Sequence, residues 1–259
     1  MFHQLKAWFF SAIILLWVYG AFAESGYLES YLKSYPQSAM EAVNQVPDWH
    51  TQEWLKAGGI ILSISALYLV DEEIRDFMQD NRTDTSAAIM SFGKQFGEGK
   101  YVLPAIGAGI IGGYIAGSDK TMDTGFLALK SFILSQSVTQ SLKLATQRRR
   151  PSANAGKEFW STSGFKRKHD SFPSGHSTMA WSLAPILAEQ YQEHKWVAPA
   201  VYGIATITSI SRVHDNNHWA SDAFTGAVIG YFSAKLVLKS TPRLEWAMQG
   251  DGLGLTYRF

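Results

Sequence analysis

Six apolar stretches recur along the chain: Trp54 to Val70, Tyr101 to Gly117, Thr124 to Leu144, His176 to Tyr191, Trp196 to Ser211 and Trp219 to Leu238. Their length favours helices over strands, and Gly, Ala and Ser at close spacing let such helices pack tightly. Asp71 to Asp80 and Thr83 to Gln95 have the pattern of shorter amphipathic helices between the first two stretches. Asp215-Asn216-Asn217 reads as a helix break and restart. The expected fold class is all-α, a helical bundle with a six-helix core.

The two ends read differently. Lys6, the apolar run Ala7 to Gly20 and the small-x-small site Ala21-Phe22-Ala23 form the pattern of an export signal over residues 1–23. The run is shorter than the roughly 20 residues of a membrane span, although an uncleaved anchor is the alternative reading. Ser25 to Thr51 is mixed polar and aromatic, with short helices and a loop expected around Pro36 and Pro47. At the other end Leu253, Leu255, Tyr257 and Phe259 alternate with Gly254, Thr256 and Arg258 after the turn Gly250-Asp251-Gly252. Together with Leu244 to Gln249 this predicts a small C-terminal β-hairpin. One hairpin cannot close a membrane barrel. The domain plan is therefore a signal peptide at 1–23, an N-terminal segment at 24–53, one main domain at 54–240 and a tail or hairpin at 241–259.

Two settings suit the six helices: a membrane, or the buried core of a soluble protein. Trp54, Trp196 and Trp219 sit at segment ends, as interfacial anchors do. Against this, the runs hold about 16 to 18 apolar-rich positions where a span needs roughly 20. Lys130 and Lys235 lie inside them, and the mean hydropathy is near zero. If every run spans after export, the polar motifs described below face the cytoplasm. If those motifs face outward, at least one run does not span, or the domain is soluble.

Composition narrows the chemistry. The net charge of +1 gives no reason to expect a nucleic-acid partner, and the absence of cysteine excludes disulfides, thiol nucleophiles and thiolate metal sites. The basic residues are clustered: Lys143, Arg148, Arg149, Arg150, Lys157, Lys166, Arg167 and Lys168 share one span with Glu158 as the sole acid. For Lys166 to Lys168 a solvated loop is an equal alternative.

Three short stretches carry the functional signal. In Lys143 to Pro151, Lys143 and Arg150 are seven residues apart, which on one helix sets both heads on one face, with Pro151 ending the helix beyond them. Two cations in line suit the oxygens of one phosphate. Arg148 and Arg149 then point elsewhere, as loop or surface charges. Pro173-Ser174-Gly175-His176 reads as a turn into a helix, with Ser174 as cap and the exposed N–H groups as an anion cradle. His176 at its rim is placed as a general acid. His218 and Asp222, at i and i+4, bring a carboxylate to an imidazole, leaving the other ring nitrogen free to attack phosphorus. Arg212 is set to reach the same phosphate across the Asp-Asn-Asn break. Alone, each feature has a commoner structural explanation: an exposed basic helix face, a core histidine, a stabilising His–Asp pair. His3, His50, His169, His194 and His214 are read as structural. A zinc or iron site at His176, His218 and Asp222 is the rival, but Lys143, Arg150 and Arg212 repel a metal ion and attract an oxyanion.

These residues closely resemble the type 2 phosphatidic acid phosphatase superfamily. Its pattern KxxxxxxRP, PSGH and SRxxxxxHxxxD is matched without a gap between Lys143 and Asp222. The resemblance implies an all-α bundle that needs no cofactor and no metal. It implies His218 as the nucleophile of a phosphohistidine intermediate, Asp222 as its orienting partner, and His176 as the acid that later activates water. It implies Lys143, Arg150, Ser174, Gly175 and Arg212 as phosphate ligands. The expected protein is a phosphoric ester or diphosphate hydrolase of the bacterial cell envelope, acting on a phosphorylated lipid at the inner membrane, with no obligate protein partner. The alternatives are a soluble periplasmic acid phosphatase and a vanadate-dependent haloperoxidase.

Overall fold

The computed structural model describes residues 34–38, 40, 44, 46–160, 169–240, 244–249 and 252–257. The expected signal at 1–23 and the basic run Lys166 to Lys168 lie outside the described residues. The chain is helical. Among the described residues from Thr51 onward, eight α-helices follow one another: α1 (Thr51–Leu69), α2 (Asp71–Asp80), α3 (Asp84–Gly93), α4 (Gly99–Ala116), α5 (Asp119–Thr146), α6 (Gly175–Gln190), α7 (Val197–His214) and α8 (Ala220–Ser240). The six long ones fall on the six apolar stretches, and α2 and α3 on the two amphipathic segments.

Local chemistry sets the boundaries. Thr83 caps α3 in a reciprocal box, its hydroxyl accepting from Ser86 N at 3.1 Å while Ser86 Oγ accepts from Thr83 N at 3.0 Å. Gly117, at φ +63°, ends α4 in a left-handed turn, with Ser118 N donating to Gly113 O and Gly117 N to Tyr114 O. Ser118 then caps α5 through Thr121 N. Two residues thus fold α4 back along α5.

The buried apolar core runs through α4, α5, α6 and α8, with Ile106, Ile110, Phe126, Met179, Ile186 and Val237 at its centre. A second cluster joins Ala180 and Ala184 of α6 to Ala205 of α7. The expected six-helix core is narrower than the sequence pattern indicates: α1 lies against α8 and α2, but none of its residues is buried. Its apolar residues, Leu55, Ile61, Leu62 and Leu69 among them, face outward. Among the described residues no single helix is long and apolar enough to cross a membrane, while α1 and α2, bent by 57°, pass that test as a pair.

The expected C-terminal hairpin gains no support from this body. Strands β1 (Leu244–Gln249) and β2 (Gly252–Tyr257) pair with each other, antiparallel, and make no substantial packing on the helices. An isolated two-stranded ribbon is marginal in water.

Candidate active site

The three motifs meet at one end of the bundle, stitched together by backbone hydrogen bonds. Ser171 N donates to Arg148 O, and Ser174 N donates to Asp222 O, both at 3.0 Å. Asn217 N and His218 N both donate to Arg212 O at 3.1 Å, folding the Asp215-Asn216-Asn217 break so that His218 returns beside Arg212.

Lys143 and Arg150 converge there by a different route from the one their spacing implies. Helix α5 stops at Thr146, where Gln147 turns left-handed (φ +44°). Arg150 is extended (φ −72°, ψ 149°), as a residue preceding proline prefers. The two cations therefore do not share a helix face. They meet at Asp170: the Lys143 ammonium donates to its carbonyl, and the Arg150 guanidinium grips its carboxylate through Nε at 2.7 Å and NH2 at 3.0 Å. Arg150 also donates to Asn217 Oδ1 at 3.1 Å.

Ser174 caps α6 as expected, its hydroxyl accepting from Ser177 N, so that Gly175 and His176 form the first turn. Gly175 faces the Lys143 side chain: a Cβ added there would lie 3.9 Å from Lys143 Cε. The charges of Arg212, Arg150 and Lys143, and His218, all bear on the His176 ring, which makes no hydrogen bond among the described residues. Arg212 is buried, bonds Asp215 at 3.4 Å, and leaves its Nε without a hydrogen-bond partner. A buried guanidinium donor with nothing to give to is costly unless an acceptor arrives.

His218 is buried, and its Nδ1 donates to the Ser171 carbonyl at 2.7 Å. This fixes the tautomer and leaves the Nε2 lone pair free. Burial first, then the nearby charges of Lys143, Arg150 and Arg212, hold its pKa well below that of a free imidazole, so the ring stays neutral.

The direct His218–Asp222 pair expected from the i,i+4 spacing is not formed as a hydrogen bond. Nδ1 and Asp222 Oδ2 are 3.9 Å apart, because both oxygens are otherwise engaged. Oδ1 accepts from Arg148 NH1 at 2.7 Å. Oδ2 accepts from Ser171 Oγ at 2.5 Å and from Trp219 N at 2.9 Å. Asp222 therefore holds Ser171, and the Ser171 carbonyl holds the imidazole.

Arg148 is the largest correction. Expected as a loop or surface charge, it is fully buried. It donates to Asp222, to Ser221 Oγ at 2.8 Å, to Asp71 Oδ2 at 2.8 Å and to the Lys157 carbonyl at 3.2 Å. Its guanidinium sits among the rings of Tyr68, Trp160 and Trp219, at 4.8, 5.1 and 5.4 Å. Arg149 is a loop residue stacked over Phe159 at 4.1 Å, donating to His169 Nε2. His214 finds a partner in Ser86 Oγ at 2.9 Å. Asp71 and Asp170 were missed by the sequence reading. Asp71 looks like an ordinary first-turn acid, whereas Asp170 lies just before FPSGHS and was open to notice.

Among the described residues no three His, Asp or Glu side chains are grouped to hold a metal ion. Both Asp222 oxygens already accept from protein donors, and the open space in front of His218 is bounded by cations. The donor set suits a tetrahedral oxyanion. It defines an anion site on a helical scaffold.

Comparison with known proteins bears on that class. Residues 124–246 match the model of the PAP2 superfamily. It is 38% identical over 68 residues to a lipid A 1-phosphatase of Porphyromonas gingivalis, covering 26% of this chain and 15% of that one. It is 39% identical over 62 residues to an acid phosphatase of Zymomonas mobilis, covering 24% of this chain and 22% of that one. The chain thus spans less than a quarter of the length of either curated relative. Among solved structures it resembles a transmembrane PAP2 type phosphatidylglycerolphosphate phosphatase from Bacillus subtilis, with a TM-score of 0.55 and 25% identity over 70% of this chain and 93% of that one. Aquifex aeolicus LpxE shares the fold at a TM-score of 0.52 and 22% identity, over 64% of this chain and 93% of that one.

Proposed function

We propose that the protein is a phosphatase of the bacterial cell envelope that removes phosphate from a lipid phosphate or pyrophosphate at the inner membrane. The observation that carries this reading is the buried, unpartnered Arg212 Nε beside a neutral, tautomer-fixed His218. Together they form a donor waiting for an oxyanion and a nucleophile facing it.

Catalysis proceeds by two in-line displacements. Burial first, then the charges of Arg212, Arg150 and Lys143, keep His176 neutral in the free site, so it takes up a proton as the anionic substrate enters. His218 Nε2 attacks phosphorus, and His176 gives that proton to the departing oxygen of the lipid. His176 then takes a proton from water, which attacks the phosphohistidine and releases inorganic phosphate. Lys143, Arg150, Arg212, the Ser174 hydroxyl and the backbone at Gly175 hold the phosphoryl oxygens and stabilise the charge that spreads over them. Asp222 acts through Ser171 and as the negative charge nearest the phosphorylated ring.

A lipid is favoured over a water-soluble ester by two features. A cavity of about 620 Å³ lies between α4, α5, α6 and α7, lined by Phe96, Val102, Ile106, Leu183, Leu187 and Ile204 among others. Ala180, on its wall, is one helical turn from His176, a spacing that supports an acyl chain held near the site. The outward apolar face of α1 suits a membrane contact.

The test is phosphate release from a panel of lipid phosphates, a lipid pyrophosphate and soluble esters, run on detergent-extracted and soluble fractions. His218→Ala serves as the control, expected to lose about 10⁴-fold or more while keeping its helical spectrum. Full activity of that variant removes His218 as nucleophile. Exclusive turnover of soluble esters in the soluble fraction removes the lipid.

A further inference from the structure

The chemistry proposed above uses residues from three motifs between Lys143 and Asp222. One buried group outside them reaches the same machinery. Asp71, the first residue of α2, is fully buried and lies outside the family-matched segment. Its Oδ1 accepts from Ser221 N at 2.9 Å, and its Oδ2 accepts from Ser221 Oγ at 2.6 Å and Arg148 NH2 at 2.8 Å. Arg148 passes its other terminal nitrogen to Asp222, Asp222 takes the Ser171 hydroxyl, and the Ser171 carbonyl takes His218 Nδ1–H.

We infer that Asp71 and Arg148 are positioning residues for His218, forming a buried relay Asp71–Arg148–Asp222–Ser171 that aims the imidazole at phosphorus. The charge arithmetic supports this. Arg148 stands between two carboxylates, and neither carboxylate can approach the other without it. Were Asp71 absent, Arg148 NH2 would lose its carboxylate, and its line to Asp222 would rest on Ser221, the Lys157 carbonyl and the surrounding rings. That loosens the anchor that fixes which way the Asp222 oxygens face Ser171. Buried polar networks of this kind rigidify when every member is satisfied, and the side chains of Asp71, Arg148, Ser171, Ser221 and Asp222 all have partners within this one. The aromatic walls of Tyr68, Trp160 and Trp219 keep water from substituting for a missing member.

The relay rests on the reading of His218 as nucleophile, so the test has one arm that needs turnover and one that does not. In the full chain, Asp71→Asn is expected to lower kcat about 10²-fold, the scale of a misplaced reacting group, with KM changed less than about threefold. Ser221→Ala, which loosens Asp71 without stranding a charge, is expected to lower kcat less, again with KM little moved. The second arm is nitrogen-15 NMR of histidine-labelled protein, with the His218 signals assigned from His218→Gln. The wild type should show a slowly exchanging Nδ1–H on His218, and both variants should lose or broaden it. Thermal unfolding run in parallel separates this from global loss of structure. An unchanged Nδ1–H signal in folded Asp71→Asn and Ser221→Ala overturns the relay, whatever the enzyme hydrolyses. Loss of that signal in the two variants, with a wild type that shows it but releases no phosphate from any ester, sustains the relay and overturns the nucleophile.

Discussion

Arg148 and Arg150 are two residues apart and chemically identical, yet they face opposite tasks. Arg148 is sealed in the interior between Asp71 and Asp222 under three aromatic rings, with its donors spoken for by protein. Arg150 is partly exposed, leans on Asp170 and Asn217, and borders the space in front of His218 together with Arg212, whose Nε has no partner at all. One side of the site is a finished electrostatic structure, and the other is held open for an anion. A closed network holds the His218 ring in place, and the open side presents cations to solvent. Damage to the first should register in stability as well as in turnover, damage to the second in turnover alone.

The sharpest way to break the comparison is to remove the closed side. Arg148→Gln strands two buried carboxylates, and losing one partner of a buried pair costs about 3–5 kcal/mol. Chemical denaturation should show that loss, and a variant as stable as the parent would contradict the assignment of Arg148 to the scaffold. On the open side, Arg212→Gln is expected to lower kcat/KM for phosphate release by about 10²–10³-fold, the scale of one lost donor to a developing oxyanion. Its melting temperature should stay near that of the parent, since the removed Nε had no partner to lose. A large drop in stability would mean that Arg212 belongs with Arg148. The smallest effect is in pH. Burial first, and then the cations around it, depress the His218 pKa, so the ring stays unprotonated below the usual imidazole range and, with His218 as the attacking group proposed above, that limb of the kcat/KM profile lies on the acid side of it. In Arg212→Gln one depressing charge is gone, and the limb should move to higher pH. Movement in the other direction would show that the nearby charges do not govern the ring.

The same contrast explains what could be read from the sequence. The six long helices, the two amphipathic ones and the break at Asp215-Asn216-Asn217 were legible because they are properties of local periodicity. Motif chemistry led to the expectation that His176, His218, Arg212, Lys143 and Arg150 share one site, and in the structure the three cations lie near both rings. What stayed hidden depends on partners far along the chain. Arg148 looked like a surface charge because its neutralising carboxylates lie 77 and 74 residues away. His218 looked paired with Asp222 because the carbonyl that actually receives its proton belongs to Ser171, 47 residues back. Helix periodicity carried Lys143 and Arg150 onto one face, but it cannot register that Gln147 adopts a left-handed backbone between them. The hairpin expected from alternation at the C-terminus failed to gain support because a period-two pattern says nothing of whether a ribbon has a surface to lie on.

The contact between α6 and α8 has its own consequence. A Cβ at Gly226 would come within 2.4 Å of Ser174 O, and one at Gly230 within 2.3 Å of Thr178 O. The gap between the two imidazoles is therefore set by atoms that are not there. It can be widened but not narrowed from these two positions: a side chain at either glycine pushes α6 off α8.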